Sequence, residues 1–171
     1  MRLHYLVAAA LALGSVFTWS SDVAALERFR THLSGSEEVP PVDTRARGQA
    51  IFELNQGPFG DALLYRLIVA NIENVVAAHI HLGPAGTNGP VVAFLYGPTP
   101  AGLGRFRAIL AAGAITSDDL IGPLEEETLE VLIEEIEAGN TYVNVHTNDG
   151  VEPPNTGPGD FPGGEIRGQI R

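Results

Sequence analysis

Eight short runs rich in apolar and β-branched residues recur along this chain, each closed off by glycine, proline or asparagine, and this rhythm constrains the fold more than any other feature. The runs span 28–33, 48–54, 62–70, 75–82, 91–96, 106–112, 141–147 and 165–170. Many short strands at such spacing fit a sandwich or barrel. Asn55-Gln56-Gly57-Pro58 with Gly60-Asp61 marks one turn, and the stretch 83–90 marks another. Successive strands should therefore pair closely and mostly antiparallel. The expected class is an all-β antiparallel sandwich.

One segment departs from the β pattern. Leu129, Leu132, Ile133 and Ile136 fall at i, i+3, i+4 and i+7, which is one face of an α-helix. Glu125 to Glu127 suit its N-terminus and Gly139 its end. Glu126 and Glu130 repel one another at four-residue spacing, so the apolar stripe must hold the helix by packing. The stretch 148–164 carries four prolines and five glycines and is expected to be a long, mobile loop.

At 171 residues, 44% of them hydrophobic, the chain is long enough for one domain with one core. Its beginning has the pattern of an export signal: Arg2, an apolar run over 6–16, and the small-residue site Val23-Ala24-Ala25. The expected division is a signal peptide over 1–25 and one domain over 26–171, secreted or periplasmic. No later run is apolar for about 18 residues, so no membrane span is expected. There is no cysteine, which excludes disulfides and thiolate ligands and leaves stability to the packed core. Removing residues 1–25 takes away Arg2 and Asp22, so the net charge stays at −11, a balance that disfavours nucleic acid as a partner.

Three of the five histidines fall in two strand-like motifs, His79-Ile80-His81 and Val145-His146-Thr147. Strand side chains alternate faces, so His79 and His81 share one face at about 6.6–7 Å between Cα atoms. Imidazole nitrogen binds a metal at about 2.0–2.1 Å, and His146 from a second strand would complete a three-nitrogen site with a position left open. Nitrogen-only ligands suit copper or zinc, and divalent affinity peaks at copper. Because a ligating imidazole must be neutral, affinity should fall below a pH of about 6.

Several motifs in order resemble the CHRD (chordin-type) domain family. They are Leu33-Ser34-Gly35 with Glu38-Val39-Pro40-Pro41-Val42, then Gly48-Gln49-Ala50, then Ala77 to Gly83 with Gly86 and Asn88-Gly89-Pro90-Val91-Val92. They continue with Ala138 to Thr147 and close with Gly164 to Ile170. The resemblance covers nearly all of 26–171. It implies an immunoglobulin-like sandwich, with a likeness to Cu/Zn superoxide dismutases, and no settled biochemical activity. Those enzymes draw copper ligands from an H-x-H strand and a distant V-H strand, a subset that His79, His81 and His146 match. The chain departs from them in having no bridging histidine, no zinc-ligand loop and no disulfide pair, so the resemblance supports one metal rather than two.

The favoured function is an exported protein holding one transition metal, copper ahead of zinc, through three histidines. The alternatives are a metal-free extracellular interaction module and a dismutase-like redox enzyme, so catalysis stays open. Glu165 and Asn144 are candidates for orienting the imidazoles, as carboxylates and amides do around metal ligands. The plainer reading of Glu165 is an ion pair with Arg167 across one face of the last strand, and that of Asn144 and Tyr142 is structural hydrogen bonding. His32 reads as surface or core filler. Gly83, Gly86 and Gly89 are turn glycines without a phosphate-loop pattern. Asn148-Asp149-Gly150, Glu152 and Asp160 lack the spacing of a calcium loop. The proline segment at 38–42 reads as a link between strands. Nothing resembles a nucleophile elbow.

Overall fold

The computed structural model describes residues 27–57 and 60–171. The expected signal peptide lies outside them. Eight strands follow one another: β1 (Arg28–Ser34), β2 (Arg47–Gly57), β3 (Gly60–Glu73), β4 (Val75–Leu82), β5 (Val91–Tyr96), β6 (Arg105–Ile115), β7 (Thr141–Thr147) and β8 (Ile166–Gln169). A single α-helix among the described residues, α1 (Leu129–Glu137), lies between β6 and β7. The all-β expectation holds, and each of the eight runs is a strand.

Two-residue alternation builds the core. Phe29, Thr31 and Leu33 of β1 point inward while Arg28, Arg30 and His32 stay exposed. Ala50 and Phe52 of β2, Leu63, Leu67 and Val69 of β3, Ala78 and Ile80 of β4, and Val143 and Val145 of β7 continue the same apolar interior. The sheet order is β5-β4-β7-β8-β1-β2-β3-β6, and every neighbouring pair is antiparallel. One continuous sheet therefore supplies both layers. It folds over at β8 and β1, where pairing thins to Ser34 opposite Arg167 and to reciprocal backbone bonds between Arg30 and Arg171. The far edges meet: Ala93 of β5 bridges Leu120, and the Tyr65 hydroxyl donates to the Leu95 carbonyl at 2.9 Å.

α1 buries the predicted stripe of Leu129, Leu132, Ile133 and Ile136. Its start differs from the expectation, because Glu125 to Glu127 lie in the turn before it and Thr128 is the N-cap. With Glu126 at φ +72 the backbone turns just ahead of the helix, and the Leu129 N–H donates to the Ser117 hydroxyl. Gly139, at φ +73, occupies the left-handed position past the end.

Candidate metal centre

Register brings the histidine motifs together. β4 and β7 pair with Ala77 opposite His146, His79 opposite Asn144 and His81 opposite Tyr142. Directly opposite residues share a face, so His79, His81, Tyr142, Asn144 and His146 all project from the side of the sheet away from Ala78, Ile80, Val143 and Val145. The cluster thus sits on the outer face of the sandwich. Phe94 of β5, opposite His79 in register, flanks it with ring centroids 4.7 Å apart.

The three imidazoles present one donor atom each within 4.8 Å of one another. His79 Nδ1 lies 3.1 Å from His146 Nε2. With metal–nitrogen bonds of about 2.05 Å, that separation corresponds to an angle of about 100° at an ion. A tetrahedral site needs separations of about 3.3 Å, so the widest pair must close by about 1.5 Å at most, which is within side-chain rotation.

Two backbone carbonyls set the tautomers. His81 Nδ1–H donates to the Gly89 carbonyl at 2.9 Å, and His146 Nδ1–H donates to the Pro162 carbonyl at 2.9 Å. A carbonyl only accepts, so both rings keep the Nε2 lone pair free for the cluster. His81 Nε2 is buried and has no partner among the described residues. Burying such an acceptor unpaired costs about 1–3 kcal/mol, and a ligand there removes the cost. Between neutral rings, His79 Nδ1–H is the donor to His146 Nε2, and a metal would take the place of that proton.

The electrostatics keep the rings neutral. Burial, helped by the neighbouring His146 and His81, brings His79 down to about 4. Burial also lowers His81 against the raising effect of the Gly89 carbonyl, and lowers His146 against that of Pro162. Protons therefore compete for these nitrogens at lower pH than for free imidazole.

Tyr142 and Arg167 brace the wall behind His81. The Tyr142 ring stacks on His81 at 4.8 Å and 12°, and its hydroxyl accepts from the Gly89 N–H at 3.0 Å. The Arg167 guanidinium sits 3.4 Å over the same ring and donates to Asn88 Oδ1 and to the Pro84 and Thr87 carbonyls. This arrangement holds the 83–90 turn that carries the Gly89 carbonyl.

The two candidates for orienting imidazoles hold other partners, as the structural reading of Asn144 has it. Glu165 accepts from the Thr44 and Thr147 hydroxyls and from the Gly159 N–H, and it forms neither the expected ion pair with Arg167 nor a bond to a histidine. Asn144 lies opposite His79 and donates to Glu38 Oε2 at 3.3 Å. Backbone carbonyls do the orienting instead, and sequence patterns give no signal for them because any residue carries one. The later part of the 148–164 loop is tied to the sheet, while residues 150–156 are exposed. Asp160 accepts from the Thr156 N–H and hydroxyl, and Phe161 exchanges bonds with Thr147, which places Pro162 against His146. Glu38, expected in a linker, is 5% exposed beside Asn144, and burial pushes its carboxyl up to about 7 against the pull of Arg167 and Asn144. His32 remains apart on the exposed side of β1.

No helix among the described residues is long and apolar enough to cross a membrane. Residues 29–170 match the family model described as the CHRD domain. Neither a curated protein nor a solved structure is matched.

Proposed function

We propose that this chain, which belongs to the CHRD domain family, is an extracytoplasmic protein that binds one transition-metal ion through His79 Nδ1, His81 Nε2 and His146 Nε2. The observation that carries the reading is the convergence of three neutral imidazoles, with the buried His81 Nε2 lacking a partner among the described residues and carbonyls holding the opposite nitrogens of His81 and His146. Nitrogen donors favour copper or zinc, with copper ahead by its general affinity. His79 and His146 are only half-buried, so an ion has a route from solvent. Residues 1–25 act as the export signal in this reading, and the family membership supports an extracellular setting.

The test is metal analysis of purified mature protein after exposure to Cu(II) or Zn(II) and removal of excess. One equivalent is expected, with nitrogen hyperfine structure in the copper electron paramagnetic resonance spectrum. A ligand that binds only the folded state at 100 times its dissociation constant stabilises it by about 2.7 kcal/mol. His146→Ala should lose most of that increment, whereas His32→Ala should keep it. A His146→Ala protein that binds metal as tightly as the parent refutes the site.

A further inference from the structure

The chain has no lysine, so its only strong bases are arginines, set against 21 acidic residues. Three of them, Arg45, Arg105 and Arg107, line one open cleft of about 950 Å³. That volume is at the upper end of the range of about 300–1,000 Å³ usual for ligand sites. A bulge shapes it. From Val69 to Ile72 β3 advances three residues while its partner β6 advances two, from Ala108 to Phe106, and Asn71 turns through φ +54. The end of β3 from Asn71 to Glu73 forms the floor. The segment leading into β2, at 43–45, and the start of β6, at 105–107, form the two sides. Arg45 and Arg107 therefore stand on opposite sides, and neither makes an ion pair among the described residues. Arg105 reaches Glu73 only at 3.5 Å, with its side chain 90% exposed. A guanidinium cannot lose its proton, so the cleft keeps a positive charge within a chain of net charge −11.

The other residues of the cleft decide which anion fits. Asp43 and Glu73 line it too, so a densely charged phosphate polymer would meet repulsion from two carboxylates. A polymer with one carboxylate per unit and hydroxyls between suits both charges. The arginine forks take carboxylates bidentately, while Asp43, Glu73 and Asn71 offer oxygens to hydroxyl donors. Phe106, 37% exposed on the β6 side, adds an aromatic ring for the apolar face of a sugar. An acidic peptide would use the arginines but has no hydroxyls for the carboxylates. The cleft is open, so a long chain can lie along it. We propose that this cleft binds a carboxylate-bearing polysaccharide, a polymer of uronic acid, held by Arg45 and Arg107 from opposite sides. It shares no residue with the histidine cluster.

Isothermal titration of oligogalacturonate into the mature protein, at about 0.15 M salt and with a chelator present, tests this. Saturable binding that weakens as salt rises is expected. Methyl-esterified oligogalacturonate keeps the sugar and lacks the charge, whereas polyglutamate keeps the charge and lacks the sugar. Each should bind at least about tenfold more weakly. Arg45→Ala and Arg107→Ala should each weaken binding about tenfold, the loss expected for a hydrogen-bonded charge. Both side chains are exposed, so the fold should be kept, as circular dichroism will show. Arg30→Ala, on β1 outside the cleft, should bind like the parent. A parent that does not bind oligogalacturonate overturns the proposal, as do Arg45→Ala and Arg107→Ala proteins that bind it like the parent. Polyglutamate bound as tightly as oligogalacturonate overturns the polysaccharide and makes an acidic protein segment the occupant. His146→Ala should bind the oligomer unchanged, so this result is independent of the metal titration.

Discussion

Replacing Glu38 with Gln should stabilise the protein at alkaline pH and leave it unchanged in acid. Glu38 is 5% exposed, and burial is the largest influence on its carboxyl; Glu165 also raises it, while Arg167 and the Asn144 amide pull it back. The carboxyl rises from 4.5 to about 7. A group raised on folding is at no disadvantage below its unfolded value, and stability is lost as pH climbs from about 4.5 through about 7. At roughly 1.4 kcal/mol per pH unit the ionised form costs about 3 kcal/mol once pH exceeds 7. Glutamine keeps an oxygen for the Asn144 N–H and never ionises, but its amide N–H groups bring a small burial cost of their own. The net gain expected at pH 8 is about 1–3 kcal/mol, or about 3–9 °C in melting temperature for a domain of this size. At pH 4, where Glu38 is protonated folded and largely protonated unfolded, the difference should nearly vanish. Urea denaturation of parent and variant at pH 4, 6 and 8, with a chelator present, reads this directly. The histidines are common to both proteins and cancel in the comparison. A difference that does not change with pH, or a variant less stable than the parent at pH 8, refutes the assignment of Glu38 as a buried carboxyl held towards its neutral form.

The histidines act in the opposite sense: His79 is lowered to about 4, so its contribution is present above about 6.5 and lost as pH falls towards 4. His79→Asn should recover about 1–2 kcal/mol of metal-free stability at pH 4 relative to pH 7.5, a figure discounted for the ring's partial exposure and checked by the same urea series. Copper or zinc affinity followed by competition titration should persist below pH 6 and collapse nearer pH 4. A Cβ at Gly89 would run into the Leu82 carbonyl, so Gly89→Ala should displace the carbonyl that holds His81 and weaken metal binding at least tenfold, measured by isothermal titration. Arg167→Lys removes a planar fork that bonds three separate oxygens and covers Tyr142. It should cost about 2–4 kcal/mol by thermal denaturation and loosen the 83–90 turn, seen as faster amide exchange there.

Strand identity was legible because apolar runs between turn residues are a local property, and all eight strands and the α1 stripe sit where periodicity puts them. So was the sharing of a face by His79 and His81, since strand alternation alone requires it. The boundaries were less so. β3 extends to Glu73 and β6 to Ile115 through residues with weak strand signal, because a paired neighbour supplies hydrogen bonds that propensity does not anticipate. Glu125 to Glu127 look like a helix start by charge, yet the backbone turns at Glu126 before the helix begins.

By itself, then, the amino-acid order determined an all-β fold without disulfide support, the face on which two imidazoles lie, and the residue types able to hold a metal. Tertiary structure decided that β4 and β7 are neighbours, in a register that sets His146 opposite Ala77, one step along the same face from His79. It also decided which nitrogen each ring offers, through the Gly89 and Pro162 carbonyls. It left Glu165 bound to Thr44 and Thr147, buried Glu38 next to Asn144, and placed β6 last in the sheet among the described residues. The physical reason is range. Side-chain alternation and helical periodicity act over a few residues, whereas strand order, ring tautomer and burial of charge depend on atoms up to 121 positions away in the chain, as between Thr44 and Glu165.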